Sequence, residues 1–141
     1  MYGSTLRRPG RSAKAYADIA LETRVMSASP AQLITLLFEG ADAALVKAKA
    51  HLIQGQTAQR GQAFSKAIDI IDSGLKSSLD MEAGGELSKN LAQTYDLIIQ
   101  HLMMANLEAD LDRLEVAQKM LANISAGWQQ NLANLASTQP S

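Results

Sequence analysis

Cysteine is absent from the 141 residues. That excludes structural disulfides and thiolate-ligated metal sites. Aromatics make up only 4% of the chain. No apolar run approaches the roughly 20 residues that a spanning helix needs, and the N-terminus lacks the apolar stretch of a secretory signal. The reading is a cytoplasmic chain without membrane insertion. A surplus of either charge is missing too, with a net charge of −1 and a pI near 6.1. The chain as a whole therefore carries neither a nucleic-acid footprint nor a polybasic membrane patch. The single basic cluster, Arg7, Arg8, Arg11 and Lys14, reads as part of a solvated terminal tail.

Residues that do chemistry are equally scarce. There are two histidines, His51 and His101, and neither has a glutamate three residues before it, so the Glu-x-x-His pattern of di-iron bundles is missing. No phosphate loop, dinucleotide-binding turn or nucleophile elbow occurs. Asp69 and Asp72 share a helix side with Lys66 and Lys76, the arrangement of a solvated, salt-bridged face rather than a catalytic dyad. The expectation is no catalytic residue, no cofactor and no metal.

What is present is helix-forming apolar weight. Apolar residues make up 47% of the chain and are mainly Ala, Leu, Ile and Met, rather than the β-branched and aromatic mix of strands. Five helical segments follow from periodicity and stop signals. The first covers residues 12–25. The second begins at Ser29 and Pro30, a side-chain cap followed by a proline where the missing N–H costs nothing, and ends before Gly55. The third covers 57–79, the fourth 86–107 after the Gly84-Gly85 break, and the fifth 111–132. Residues 1–11 are expected to be a disordered tail, 12–132 one helical domain, and 133–141 a flexible tail.

Apolar stripes at spacings of three and four mark the buried faces. They are Leu33, Leu37, Ala41, Ala44, Leu45, Ala48 and Leu52; then Phe64, Ile68, Ile71, Leu75 and Leu79; then Leu87, Leu91, Tyr95, Ile98, Leu102 and Ala105; then Leu114, Ala117, Leu121, Ile124 and Trp128. The first segment has only Tyr16, Ile19, Ala20 and Thr23. The expected fold is all-α: an antiparallel four-helix bundle with a short additional N-terminal helix. A remainder of large apolar residues stands off these stripes: Leu36, Val46, Ile53, Ile70, Leu97, Ile99, Met103 and Met104. Flank positions of a bundle often pack against a neighbouring helix. As a set, however, these residues suit a partner-binding groove, with methionine supplying adaptable contacts.

Several local sequences carry a family resemblance. They are Ala15-Tyr16, Val25-Met26-Ser27-Ala28-Ser29-Pro30 leading to Leu33, and Leu37-Phe38-Glu39-Gly40. Further on come Tyr95, Leu102-Met103-Met104-Ala105-Asn106, and Ile124-Ser125-Ala126-Gly127-Trp128. In this order and spacing the chain resembles the flagellin export chaperone family (FliS) from about residue 13 to 130. The resemblance implies a cytoplasmic chaperone that binds the disordered C-terminal segment of flagellin, prevents premature polymerisation, and presents the subunit to the flagellar export gate. It also implies that the client lies in apolar grooves of the second to fourth helices, with the segment around Tyr16 and Ile19 as a movable groove cover. Pro30, Leu33, Asn106 and Trp128 match the family pattern and are expected to serve the fold. The alternative reading is a self-associating helical adaptor without a flagellin client, a homodimer through the same off-core residues.

Overall fold

The computed structural model describes residues 19–138. The chain divides into two compact units, Met1–Leu33 and Ile34–Ser141. In the first, residues 19–27 form helix α1, on which Ile19, Leu21, Val25 and Met26 are all exposed. The expected start of this helix at residue 12, and the tail before it, lie outside the described residues.

Helix α2 spans Pro30–Ile53, and its start is the one read from Ser29-Pro30. The Ser29 hydroxyl accepts the Gln32 N–H (3.2 Å) while the Gln32 side-chain oxygen accepts the Ser29 N–H (2.8 Å), a reciprocal capping box. At its other end Gly55 adopts φ 72°. The Gln56 N–H reaches the His51 carbonyl and the Gly55 N–H that of Leu52, the double bond of a Schellman stop.

Helix α3 spans Thr57–Asp69 and continues into a π-helical segment, Ile70–Lys76. There the Ser77 N–H bonds to the Asp72 carbonyl five residues back. Helix α4 spans Gly85–Glu108 and α5 spans Leu111–Thr138. Between them Ala109 takes the left-handed conformation, φ 53°, and the Asp110 carboxylate accepts the Arg113 N–H at 3.1 Å to start α5. Among the described residues there is no strand.

Cross-links fix the helix directions. Trp128 donates its indole N–H to Thr35 (3.1 Å), and Lys49 meets Glu115 at 3.2 Å; the early end of α2 therefore lies beside the late end of α5, and the reverse. The Arg60 guanidinium holds the Asn106 side-chain and backbone oxygens at 3.1 and 3.0 Å, and Lys76 holds Asp96 at 2.6 Å. So α3 and α4 also run antiparallel. The result is the expected all-α antiparallel bundle. At its centre Leu45, Phe64, Ile71, Leu75, Ile98, Leu102 and Leu114 have lost all or nearly all contact with solvent. The small side chains of Ala41, Ala44 and Ala48 line the buried face of α2, which lets it approach its neighbours closely.

Four details depart from the sequence reading. Leu87, in phase with the core stripe of α4, is 68% exposed, because the first turn of that helix borders an open cleft at the bundle's end. Phe38, one residue off the α2 stripe, is buried. The third helix is not α-helical throughout. The fifth continues past the expected end at residue 132 as far as Thr138, since Ala133, Leu135 and Ala136 favour helix as much as the residues before them.

Candidate partner-binding surface

The off-core residues occupy distinct strips rather than a single groove. Met103 and Met104 line a groove of about 650 Å³ between α3 and α4, together with Phe64, Ile68 and Leu107. Met103 is 57% and Leu107 77% exposed, so apolar surface is open to solvent on one wall. Ile70 is partly buried against the core. Its terminal methyl lies 3.5 Å from where a Cβ would stand on Gly40, at the seam of α2 and α3; Leu36, one turn before Gly40, is also partly buried. Ile99 packs against the core as well. Val46, Ile53 and Leu97 are exposed. Val46 and Ile53 are seven residues apart and share one face of α2. Ile19 is exposed on α1, and Tyr16 lies outside the described residues.

Periodicity does not single out Leu87 as open surface, because it continues the core stripe of α4; Leu107, four residues beyond Met103, lies on the same side of α4 as Met103 and is likewise exposed. Leu87 borders a cleft of about 570 Å³ with Ile34, Leu79, Leu91, Ile124 and Trp128 on its walls. Tyr95 also lines this cleft, and burial pushes its phenol up to about 12.

The α3–α4 groove has one charged edge. Asp69 and Asp72 line it, three residues apart and both exposed. Asp69 accepts a hydrogen bond from Ser73 at 3.2 Å. Lys76, one turn beyond Asp72, gives its ammonium to Asp96, and that hydrogen bond, with the charges of Asp96 and Asp72 adding to it, holds its pKa above the ordinary lysine value. Among the described residues no group of three or more metal-ligating side chains converges. Of the two histidines, His51 shares a hydrogen bond with Gln56 (2.6 Å) and His101 stands partly buried on α4.

The sequence matches the family described as flagellar protein FliS over residues 12–135. The chain belongs to the FliS family. A flagellar secretion chaperone FliS from Salmonella typhimurium is 50% identical over 117 residues, covering 83% of this chain and 87% of that protein. The Escherichia coli FliS is 39% identical over 122 residues, covering 86% and 90% respectively. FliSB of Pseudomonas aeruginosa is 35% identical over 118 residues, 84% of this chain and 93% of its own. The FliS match takes in the whole of helices α2 to α4 and nearly all of α5. Membership in a family of flagellar secretion chaperones points to a protein of flagellum biogenesis and protein export, and to a non-enzymatic one. Among the described residues, no helix is long and apolar enough to cross a membrane.

Proposed function

We propose that this chain is a cytoplasmic chaperone that binds the disordered C-terminal segment of flagellin. In this role it prevents premature polymerisation and helps deliver the subunit to the flagellar export gate. The observation that carries the reading is 50% identity to a flagellar secretion chaperone over 83% of the chain. The surface supports it physically. A disordered client loses ordering entropy on binding, so it needs many shallow contacts spread over a long path. Separate apolar strips suit such a path better than one deep pocket: Met103, Met104 and Leu107 between α3 and α4, Leu36 and Ile70 near the α2–α3 seam, and exposed Val46, Ile53 and Leu97. Ile19 and Tyr16 would then be the movable cover.

The test is a polymerisation assay. Monomeric flagellin is seeded with filament fragments, and filament mass is followed by sedimentation. An equimolar amount of this chain should hold flagellin in the supernatant, and adding the free C-terminal peptide of flagellin in excess should compete for the chain and restore filament growth. Filament growth at the uninhibited rate would reject the reading.

A further inference from the structure

We infer that Arg60 is a positioning residue for client binding: by holding the end of α4 it sets the wall of the α3–α4 groove on which the flagellin segment lies. This rests on the flagellin-client reading and adds to it a residue that the client need not touch.

The bonds of the last turn of α4 show why an outside group is needed. A helix leaves its final carbonyls without intrahelical donors, and α4 ends at Glu108. In a continuing helix the Asp110 N–H would bond to the Asn106 carbonyl. Here the Ala109 and Asp110 N–H groups both bond to the Ala105 carbonyl. The Asn106 carbonyl takes its hydrogen bond from α3 instead. Arg60 Nη2 donates to it at 3.0 Å, while Arg60 Nε donates to the Asn106 side-chain oxygen at 3.1 Å. These adjacent N–H groups of one planar guanidinium thus fix both the main chain and the side chain of a single residue, a fork that lysine cannot reproduce. The cation also stands at the negative end of the α4 dipole. Both bonds are part-buried, where water weakens a charge-assisted hydrogen bond less than at the open surface.

The fork holds part of the groove wall in place. Asn106 lines the groove, with Met103, Met104 and Leu107 beside it on α4 and Phe64 opposite on α3. Phe64 is one turn after Arg60, so the fork sits at the groove's end. Arg60 itself is not among the lining residues. Little else secures this turn. Ala105 is the last buried residue of α4, and Leu107 beyond it is 77% exposed. Helix ends with few buried contacts are the first to open. An opened end takes Asn106 and Leu107 out of the wall. A segment that needs the ordered wall then binds only the closed fraction of the chain, and its apparent Kd rises as that fraction falls.

The experiment uses the full chain and a synthetic peptide of the C-terminal segment of the flagellin from the same genome, titrated by calorimetry well below Tm. Arg60→Met keeps an unbranched apolar stem and removes the fork. It should weaken binding about three- to tenfold, which corresponds to a closed fraction of about one third to one tenth. Arg60→Lys keeps the charge without the fork and should weaken binding at least about twofold; it carries the comparison if Arg60→Met does not fold. Ile98→Val, at the fully buried centre of the bundle, lowers Tm without touching the groove and should bind as tightly as the wild type. Amide exchange of the free chain gives a readout that a merely structural role would not move. Arg60→Met should speed exchange at Leu107 and Glu108 but not at Ile98 and Leu102. Undiminished affinity in the folded Arg60 variants, an equal loss in Ile98→Val, or exchange raised uniformly along α4 overturns the positioning role and leaves the chaperone reading intact. Absence of binding by the wild-type chain overturns both.

Discussion

Replacing Ile70 and Met103 by aspartate makes nearly the same chemical change at two positions that sequence periodicity treats alike. The structure predicts opposite consequences. Ile70 is partly buried, packed against the core, with its terminal methyl against Gly40 of α2. Full burial of an isoleucine side chain contributes about 1.5–3 kcal/mol. Losing part of that and forcing a carboxylate toward the seam should cost about 2–3 kcal/mol in total. For a chain of this size that lowers Tm by about 10 °C. Met103 is 57% exposed, and aspartate there should change stability by no more than about 0.5 kcal/mol, the usual range for an open surface site. Its effect should fall on binding: removing an apolar contact from the α3–α4 groove and adding a third carboxylate should weaken the flagellin segment at least about tenfold, or about 1.4 kcal/mol. Thermal unfolding followed by circular dichroism reads the first quantity and calorimetric titration the second. The reasoning is refuted if Met103→Asp destabilises as much as Ile70→Asp, or if it binds the segment as tightly as the wild type.

Two further predictions concern the fold. Ala109 holds φ 53° at the end of α4, a conformation that costs an L-residue about 1–2 kcal/mol; after the extra flexibility glycine brings to the unfolded chain, Ala109→Gly should raise stability by about 0.5–1 kcal/mol, measured as a higher denaturant midpoint at unchanged m-value. Burial pushes Tyr95 from 10.0 up to about 12, so the fold favours the neutral phenol. Its contribution should be complete below pH 10 and lost as pH rises toward 12, and Tyr95→Phe should flatten stability against pH in that window.

Much of this fold is written in local sequence, because the signals involved are local. Ser29 and Pro30 mark the start of α2 through a cap whose partner, Gln32, is only three residues away. Gly55 stops the same helix by its own left-handed backbone. The stripe Tyr95, Ile98, Leu102 and Ala105 is buried because a helix in a bundle needs one continuous apolar face. Features that depend on a neighbour's length or angle were not legible. Leu87 continues its stripe but reaches the open cleft at the bundle's end, and Phe38 is enclosed beside Leu121 and Trp128 on α5. The π-helical turn at Ile70–Lys76 carries no sequence signal of its own. It accompanies Gly74 closing on Leu37, where a Cβ would stand 2.8 Å from the leucine methyl.

The candidate surface shows the same division. Periodicity separated Val46, Ile53, Leu97 and Met103 from the core stripes, and all four are exposed. It could not separate them from Ile70 and Ile99, which pack against the core from its flanks, because an off-stripe position faces either solvent or the next helix. The acidic edge at Asp69 and Asp72 reads in sequence as a salt-bridged face with Lys66 and Lys76. Only the three-dimensional structure shows that Lys76 makes its direct ion pair with Asp96 of α4, while Asp72 acts on it through charge alone.

The most direct test of the central claim is a calorimetric titration of the full chain with the C-terminal segment of the flagellin from the same genome, repeated at several temperatures. A one-to-one complex with a negative heat-capacity change, the mark of apolar surface removed from water, is the predicted result. No detectable binding at micromolar concentrations, while the chain remains folded, would contradict it.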